Sequence, residues 1–176
     1  LKKSSFNQAD IDQLRDKIDQ GETIGIKLPI MVCKKGHPVK ESHISIFLKR
    51  ADELMESDDQ VVRSSLIIAK ERPLAGVPGK FYGLIKAVDE PISEFLAESE
   101  DALHVQFNEP RVADKYDKHK ETLRRVRWSL GQLVRTLFRI DGRDSSALAA
   151  IFAVPGSGGK FTISAKGINK IIELNS

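Results

Sequence analysis

The hydrophobic positions of the chain change period several times, and each change marks an element. Ile11, Leu14 and Ile18 recur at helical spacing, Phe6 and Ile11 stand where a hydrophobic staple holds a helix entry, and Asn7 is placed to cap it. Gly21 follows as a stop. From Ile24 the period becomes two. Ile24, Ile26 and Leu28 alternate with Gly25 and Lys27, and Ile30 and Val32 continue past Pro29, which predicts a first strand. Pro29 lacks a ladder donor, so that strand is expected at a sheet edge or to carry a bulge. After a polar turn over residues 34–38, Ile44, Ile46 and Leu48 alternate in a second strand, and the two read as a hairpin. A third strand is predicted over 61–68. Beyond the Pro/Gly loop carrying Pro73, Gly76, Pro78 and Gly79, the nearly continuous apolar run from Phe81 to Val88 reads as a fourth and central strand.

The second half is helical. Asp89 as cap and Pro91 in the first turn open a short helix with Ile92, Phe95 and Leu96 on one side. An irregular stretch over 98–110 leads to a long helix expected over about 112–140, with Tyr116, Leu123, Val126, Leu130, Val134 and Leu137 as its stripe. Gly131 lies inside it and weakens it by roughly 1 kcal/mol relative to Ala, which implies a close contact or a bend there. A short helix over 145–152, a Gly-rich break at 155–159 and a tail with Ile168, Ile171, Ile172 and Leu174 complete the pattern. The reading is an α+β fold: a mostly antiparallel sheet of about four strands packed by a long amphipathic helix, with short N- and C-terminal helices. Its parts are an N-terminal helix at 1–21, a sheet-rich core at 22–110, the long and short helices at 111–154, and the break and tail at 155–176.

Composition adds exclusions. The 176 residues include one cysteine, Cys33, so neither an internal disulfide framework nor a Cys-rich zinc site is available. No apolar run approaches the roughly 20 residues that cross a bilayer, so no membrane span is expected, and a cytoplasmic location is the expectation. With 28 Lys+Arg against 25 Asp+Glu, bulk charge does not by itself argue for nucleic acid. The start at Leu1, without Met or a secretory leader, suggests a piece of something longer.

Candidate chemistry is sparse. The segment Gly156-Ser157-Gly158-Gly159-Lys160 resembles a phosphate loop, but Val154 and Phe161 stand where that loop needs Gly and Ser or Thr, so a linker is the better reading. His37, His43, His104 and His119 include no pair at the i, i+4 spacing of helical metal ligands, and no metal site is assigned. His104 has Glu100 four residues before it, and a carboxylate can orient an imidazole for general-base work; a structural hydrogen bond is the ordinary reading, since the sequence sets no nucleophile beside it. Glu90, Glu94, Glu98, Glu100 and Asp101 form an acidic group able to attract magnesium, although a solvated face explains it as well. The least random pattern lies on the long helix. At roughly 100° per residue, Arg124, Arg125, Trp128, Gln132, Arg135 and Arg139 fall opposite the Leu stripe, a basic face with one aromatic that suits a protein partner or the phosphates and bases of nucleic acid.

Several segments taken together resemble a known group. Val62-Arg63-Ser64-Ser65-Leu66-Ile67-Ile68, the Pro/Gly loop, the apolar strand, Ile92-Ser93-Glu94-Phe95-Leu96 and Ser99-Glu100-Asp101-Ala102-Leu103-His104-Val105-Gln106-Phe107 are similar to the region that follows the ATP-binding domain in bacterial GHKL-type ATPases, the gyrase, Hsp90-like and histidine-kinase-like proteins. Glu100 and His104 match that group's Glu-x-x-x-His signature, Phe107 stands for its aromatic, and the Ala75-Gly76-Val77-Pro78-Gly79 loop is longer than the pattern. The resemblance implies a transducer-like coupling module without catalysis of its own. Its partner would be an ATPase domain of the same chain or another protein, or a second copy. ATP and Mg would be bound by the parent, and no cofactor by this chain, which lacks the Asp-x-Gly-x-Gly nucleotide motif. In gyrase-type transducers a lysine reaches the γ-phosphate; Lys34, Lys35 and Lys80 are equal candidates here. The alternatives are a nucleic-acid-binding module using the basic face and a small hydrolase using Glu100 and His104.

Overall fold

A computed structural model describes residues 8–138 and, as backbone only, 160–162 and 173–175. The chain runs α1 (Gln8–Asp19), β1 (Ile24–Lys34), β2 (Lys40–Arg50), β3 (Asp58–Arg63), β4 (Leu66–Ile67), β5 (Phe81–Ala87), α2 (Glu90–Ser99), a 3-10 turn (Glu109–Val112), β6 (Tyr116–Asp117) and α3 (His119–Leu137), with β7 (Lys160–Thr162) and β8 (Glu173–Asn175) paired separately. The expected capping residues Phe6 and Asn7, the short helix over 145–152 and the Gly-rich break over 155–159 lie outside the described residues.

Period-two alternation produces a two-faced sheet in the order β4-β3-β5-β2-β1-β6. Register aligns the apolar positions into rows across it. Ile26, Ile46, Ile85 and Val61 form one row, and Ile24, Leu48, Gly83 and Asp59 the next. The three helices of the described residues cover this one face, so Ile11, Leu14 and Ile18 of α1, Ile92, Phe95 and Leu96 of α2, and Leu123, Val126, Leu130, Val134 and Leu137 of α3 join a single core. Each fully buried Leu or Ile contributes on the order of 1.5–3 kcal/mol relative to leaving it exposed.

The α+β class is as expected, but the sheet has six strands and is mixed, because β3 runs parallel to β5 while the other neighbours are antiparallel. Three local features account for the difference. The run expected as one strand over 61–68 folds back at Ser64, whose φ of 53° begins a two-residue turn, and so becomes the hairpin β3–β4. The crossover from β3 to β5 is made by the segment over 68–80 instead of a helix. Buried Asp59 of β3 fixes it, accepting from Arg72 Nε at 3.0 Å and from the Leu74 backbone N–H at 2.9 Å. Finally, Tyr116 belongs to a short strand against Lys34, and Lys118, at φ 54°, breaks the backbone so that the long helix begins only at His119. Pro29 sits where β1 is laddered by β2 alone, since β6 pairs only with Cys33 and Lys34, which fits its missing donor.

Two glycines let the layers meet. A Cβ on Gly83 would stand 2.6 Å from Leu130 Cδ2 and 2.8 Å from Leu74 Cδ1, so both leucines pack against bare backbone there and would have to shift to admit one. A Cβ on Gly131 would come 2.9 Å from the Pro73 carbonyl oxygen, so this glycine marks the close contact its helix position implied, made with the crossover loop. Gly83→Ala is expected to lower unfolding stability by about 1–3 kcal/mol through overpacking, read by chemical denaturation; a variant as stable as the parent would contradict the close approach of α3.

Candidate functional site

The outward face of α3 is the leading candidate, and the sheet determines how it points. With Leu123, Val126, Leu130, Val134 and Leu137 buried, residues on the opposite side of the helix must face away from the core. Trp128 is accordingly 58% exposed, and the Arg124 guanidinium lies over its ring at 5.7 Å from the centroid. An exposed cation–π stack of this kind contributes about 0.5–1 kcal/mol. It also holds a flat apolar plate and a charge side by side on a regular helix.

The remaining members of the predicted set are not equivalent. Arg125 is half-buried beside a groove, and burial pushes its guanidinium below the ordinary value, with Glu121 pulling the other way. Gln132 is half-buried, and Arg135 donates to the Gly76 carbonyl at 3.4 Å, which turns it toward the crossover loop. Arg139 lies outside the described residues. Glu121 occupies the same helical sector and is exposed, so the face is mixed in sign. The groove beside it encloses about 160 Å³ between Ile30, Met31, Cys33 and Val39 on the sheet side and Lys118, Glu121, Thr122 and Arg125 on α3.

Sequence spacing did not single out Arg127, which works inward. It forms a two-pronged pair with buried Glu71, at 2.8 and 2.7 Å, and donates to the Phe107 carbonyl at 2.7 Å, while the Phe107 N–H donates to Glu71. The partners are 56 residues apart in the chain, beyond the reach of any local pattern.

Glu100 and His104 do meet, at 2.7 Å, but their burial is opposite: the Glu100 side chain is 1% exposed and the His104 side chain 59%. Arg63 from β3 takes both oxygens of Glu100, the second at 3.1 Å, so the carboxylate anchors the loop after α2 to the sheet. The neighbouring Ser99 hydroxyl donates to the Leu96 carbonyl, and among the described residues no hydroxyl or thiol is hydrogen-bonded to His104. Three members of the acidic group are charge-compensated: Glu94 by Lys34, Glu98 by Lys34 and Lys115, and Glu100 by Arg63. Glu98 accepts from Lys115 at 2.8 Å, from Lys34 at 3.0 Å and from the Tyr116 hydroxyl at 3.0 Å. Lys115 leads in lowering the Glu98 carboxyl to about 2, and burial, seconded by the Glu98 charge, pushes the Tyr116 phenol up to about 12. Lys34 is held above its usual value by Glu94 and Glu98. Among the described residues no group of three or more His, Cys, Asp or Glu is placed to hold a metal ion.

The three candidate lysines are thereby separated. Lys34 is committed to Glu94 and Glu98 and Lys35 to the Ala113 carbonyl, whereas Lys80 lines a cleft of about 380 Å³ between residues 55–59 and the crossover loop. Among the described residues no helix is long and apolar enough to cross a membrane. Comparison with protein-family models, curated proteins and solved structures finds no match to this chain.

The asymmetry between Glu100 and His104 gives a direct check on their role. Glu100→Ala leaves Arg63 without its buried partner and is expected to cost about 3–5 kcal/mol, whereas His104→Ala removes an exposed contact and should cost under about 1 kcal/mol. Thermal unfolding of both variants decides it; a larger loss for the histidine variant would contradict the assignment.

Proposed function

We propose that this chain is a non-catalytic coupling and interaction module of a larger cytoplasmic ATPase of the GHKL type, docking through the outward face of α3. The carrying observation is Trp128, held 58% exposed under Arg124 on a helix whose other side is locked in the core. Tryptophan and arginine are the residues most enriched where partners bind, and a rigid helix presents them without the ordering cost of a loop.

The link to an ATPase rests on the resemblance, and one feature supports it. Arg63, Glu100 and His104, which carry the resemblance from separate segments, come together in one cluster joining β3 to the loop after α2. In such a module the cluster's role is mechanical, passing the position of the strand to the loop. Nucleotide and Mg would be bound by the ATPase domain, with Lys80 as the residue of this chain best placed to reach out from a cleft.

A photo-reactive phenylalanine analogue replacing Trp128, in cells carrying the gene from which this chain derives, tests the reading. The expected product is a protein adduct to an ATPase domain, in the same chain or another, whose yield changes with ATP. An adduct to DNA or RNA, or irradiation without adducts, would overturn it. Because Trp128 lies outside the core and the replacement alters only its stack with Arg124, stability should change by no more than about 1 kcal/mol.

A further inference from the structure

We propose that His104 is an acceptor for a phosphoryl group, taken at its outward ring nitrogen Nε2 from a phosphoryl donor. The inference does not depend on the docking face of α3, and a stoichiometric acceptor is compatible with a module that has no catalysis of its own.

Hydrogen bonding leaves one reactive atom in the cluster. Buried Glu100 takes Arg63 on both oxygens, so its carboxylate can only accept from the histidine. His104 Nδ1, at 2.7 Å, therefore carries the ring proton and donates it. The lone pair of Nε2 is left on a side chain that is 59% exposed. When Nε2 bonds to phosphorus the ring gains positive charge, and the carboxylate behind Nδ1 offsets it, as carboxylates do behind other reactive imidazoles. Among the described residues no hydroxyl or thiol is hydrogen-bonded to the ring, so the imidazole has nothing to activate and is itself the nucleophile.

The loop presents that atom on a fixed turn and also selects the chemistry. His104 has a φ of 55°; its N–H donates to the Asp101 carbonyl at 3.1 Å, and the Val105 N–H to the Asp101 carboxylate at 2.9 Å. The Lys70 N–H donates to the Val105 carbonyl at 2.8 Å and ties the tip to the chain beyond β4. Acyl transfer needs backbone N–H groups aimed at a developing oxyanion, and those of His104 and Val105 are already engaged by Asp101. Phosphoryl transfer needs a positioned nucleophile and a cation for the phosphoryl oxygens. Lys70 is exposed, and its charge reaches this loop: the Val105 N–H leads in holding the Asp101 carboxyl below its usual range, and Lys70 adds to it. In the step, the Nε2 lone pair attacks phosphorus in line with the leaving group. The bond from phosphorus to that group breaks, its electron pair departs with the group, and the Nδ1 proton stays on the ring against Glu100.

The test uses the full chain and phosphoramidate, a small donor that phosphorylates imidazole without an enzyme and releases ammonia. Tandem mass spectrometry follows the 4 histidines, with His37, exposed between β1 and β2, as internal standard. His104 is expected to react at least about tenfold faster than His37, the scale on which a supporting carboxylate acts, and His104→Gln to lose that product. Lys70→Gln, at an exposed position, should slow phosphorylation of His104 while its reaction with uncharged diethyl pyrocarbonate is unchanged. Nitrogen NMR should place the ring proton of His104 on Nδ1, a signature of orientation by Glu100 that folding alone does not produce. Phosphorylation of His37 as fast as His104, a ring proton on Nε2, an unchanged rate in Lys70→Gln, or no phosphohistidine at 104 would overturn the proposal.

Discussion

The contact of Leu130 with the bare backbone of Gly83 is the constraint on which the rest of the molecule depends. It brings α3 down onto the centre of the sheet and fixes the rotation of the helix about its own axis. Once Leu130 is inward, Leu123, Val126, Val134 and Leu137 follow by periodicity, and Trp128 and Arg124 are turned out. The outward face is therefore a consequence of core packing, and its rigidity is borrowed from it. Gly131, one residue on, adds a second close approach by admitting the Pro73 carbonyl, so the crossover loop is pressed between α3 and the β3 edge.

Around that centre, three buried carboxylates perform a common task. Asp59 holds the crossover loop through Arg72 and the Leu74 N–H, Glu71 holds the strand-like residue Phe107 and α3 through Arg127, and Glu100 joins the loop after α2 to β3 through Arg63. Each satisfies its charge with an arginine, and the first two also accept a backbone N–H, which is what makes burial of a carboxylate tolerable. Loops fixed in this way lie close to the sheet without regular structure of their own. They also keep Glu100 and His104 in a structural arrangement.

How much of this was legible in the sequence follows from range. Strands β1, β2 and β5 and helix α2 could be read because each writes its period into consecutive residues. The two strands of two residues, β4 and β6, could not, since their existence depends on Ser64 and Lys118 taking a left-handed backbone that their residue types do not favour. The basic face of α3 was visible as a pattern of 100° steps, but not that Arg125 would be half-buried or Arg135 turned to the crossover loop, because the neighbours responsible come from distant segments. Arg127 was missed for the same reason: its partner Glu71 is chosen by the crossover, which no local signal announces. The end of β1 lying against the start of α3 is a tertiary fact that no local pattern announces.

The central claim is that α3 is locked with its single tryptophan outward, and the fluorescence of Trp128 reports on it directly, since no other tryptophan contributes. In the folded chain at neutral pH its emission should lie at the long-wavelength position of a hydrated indole, and acrylamide should quench it nearly as freely as it quenches free tryptophan amide. A blue-shifted emission shielded from acrylamide in the isolated chain would mean that Trp128 is packed inside, and would contradict the account.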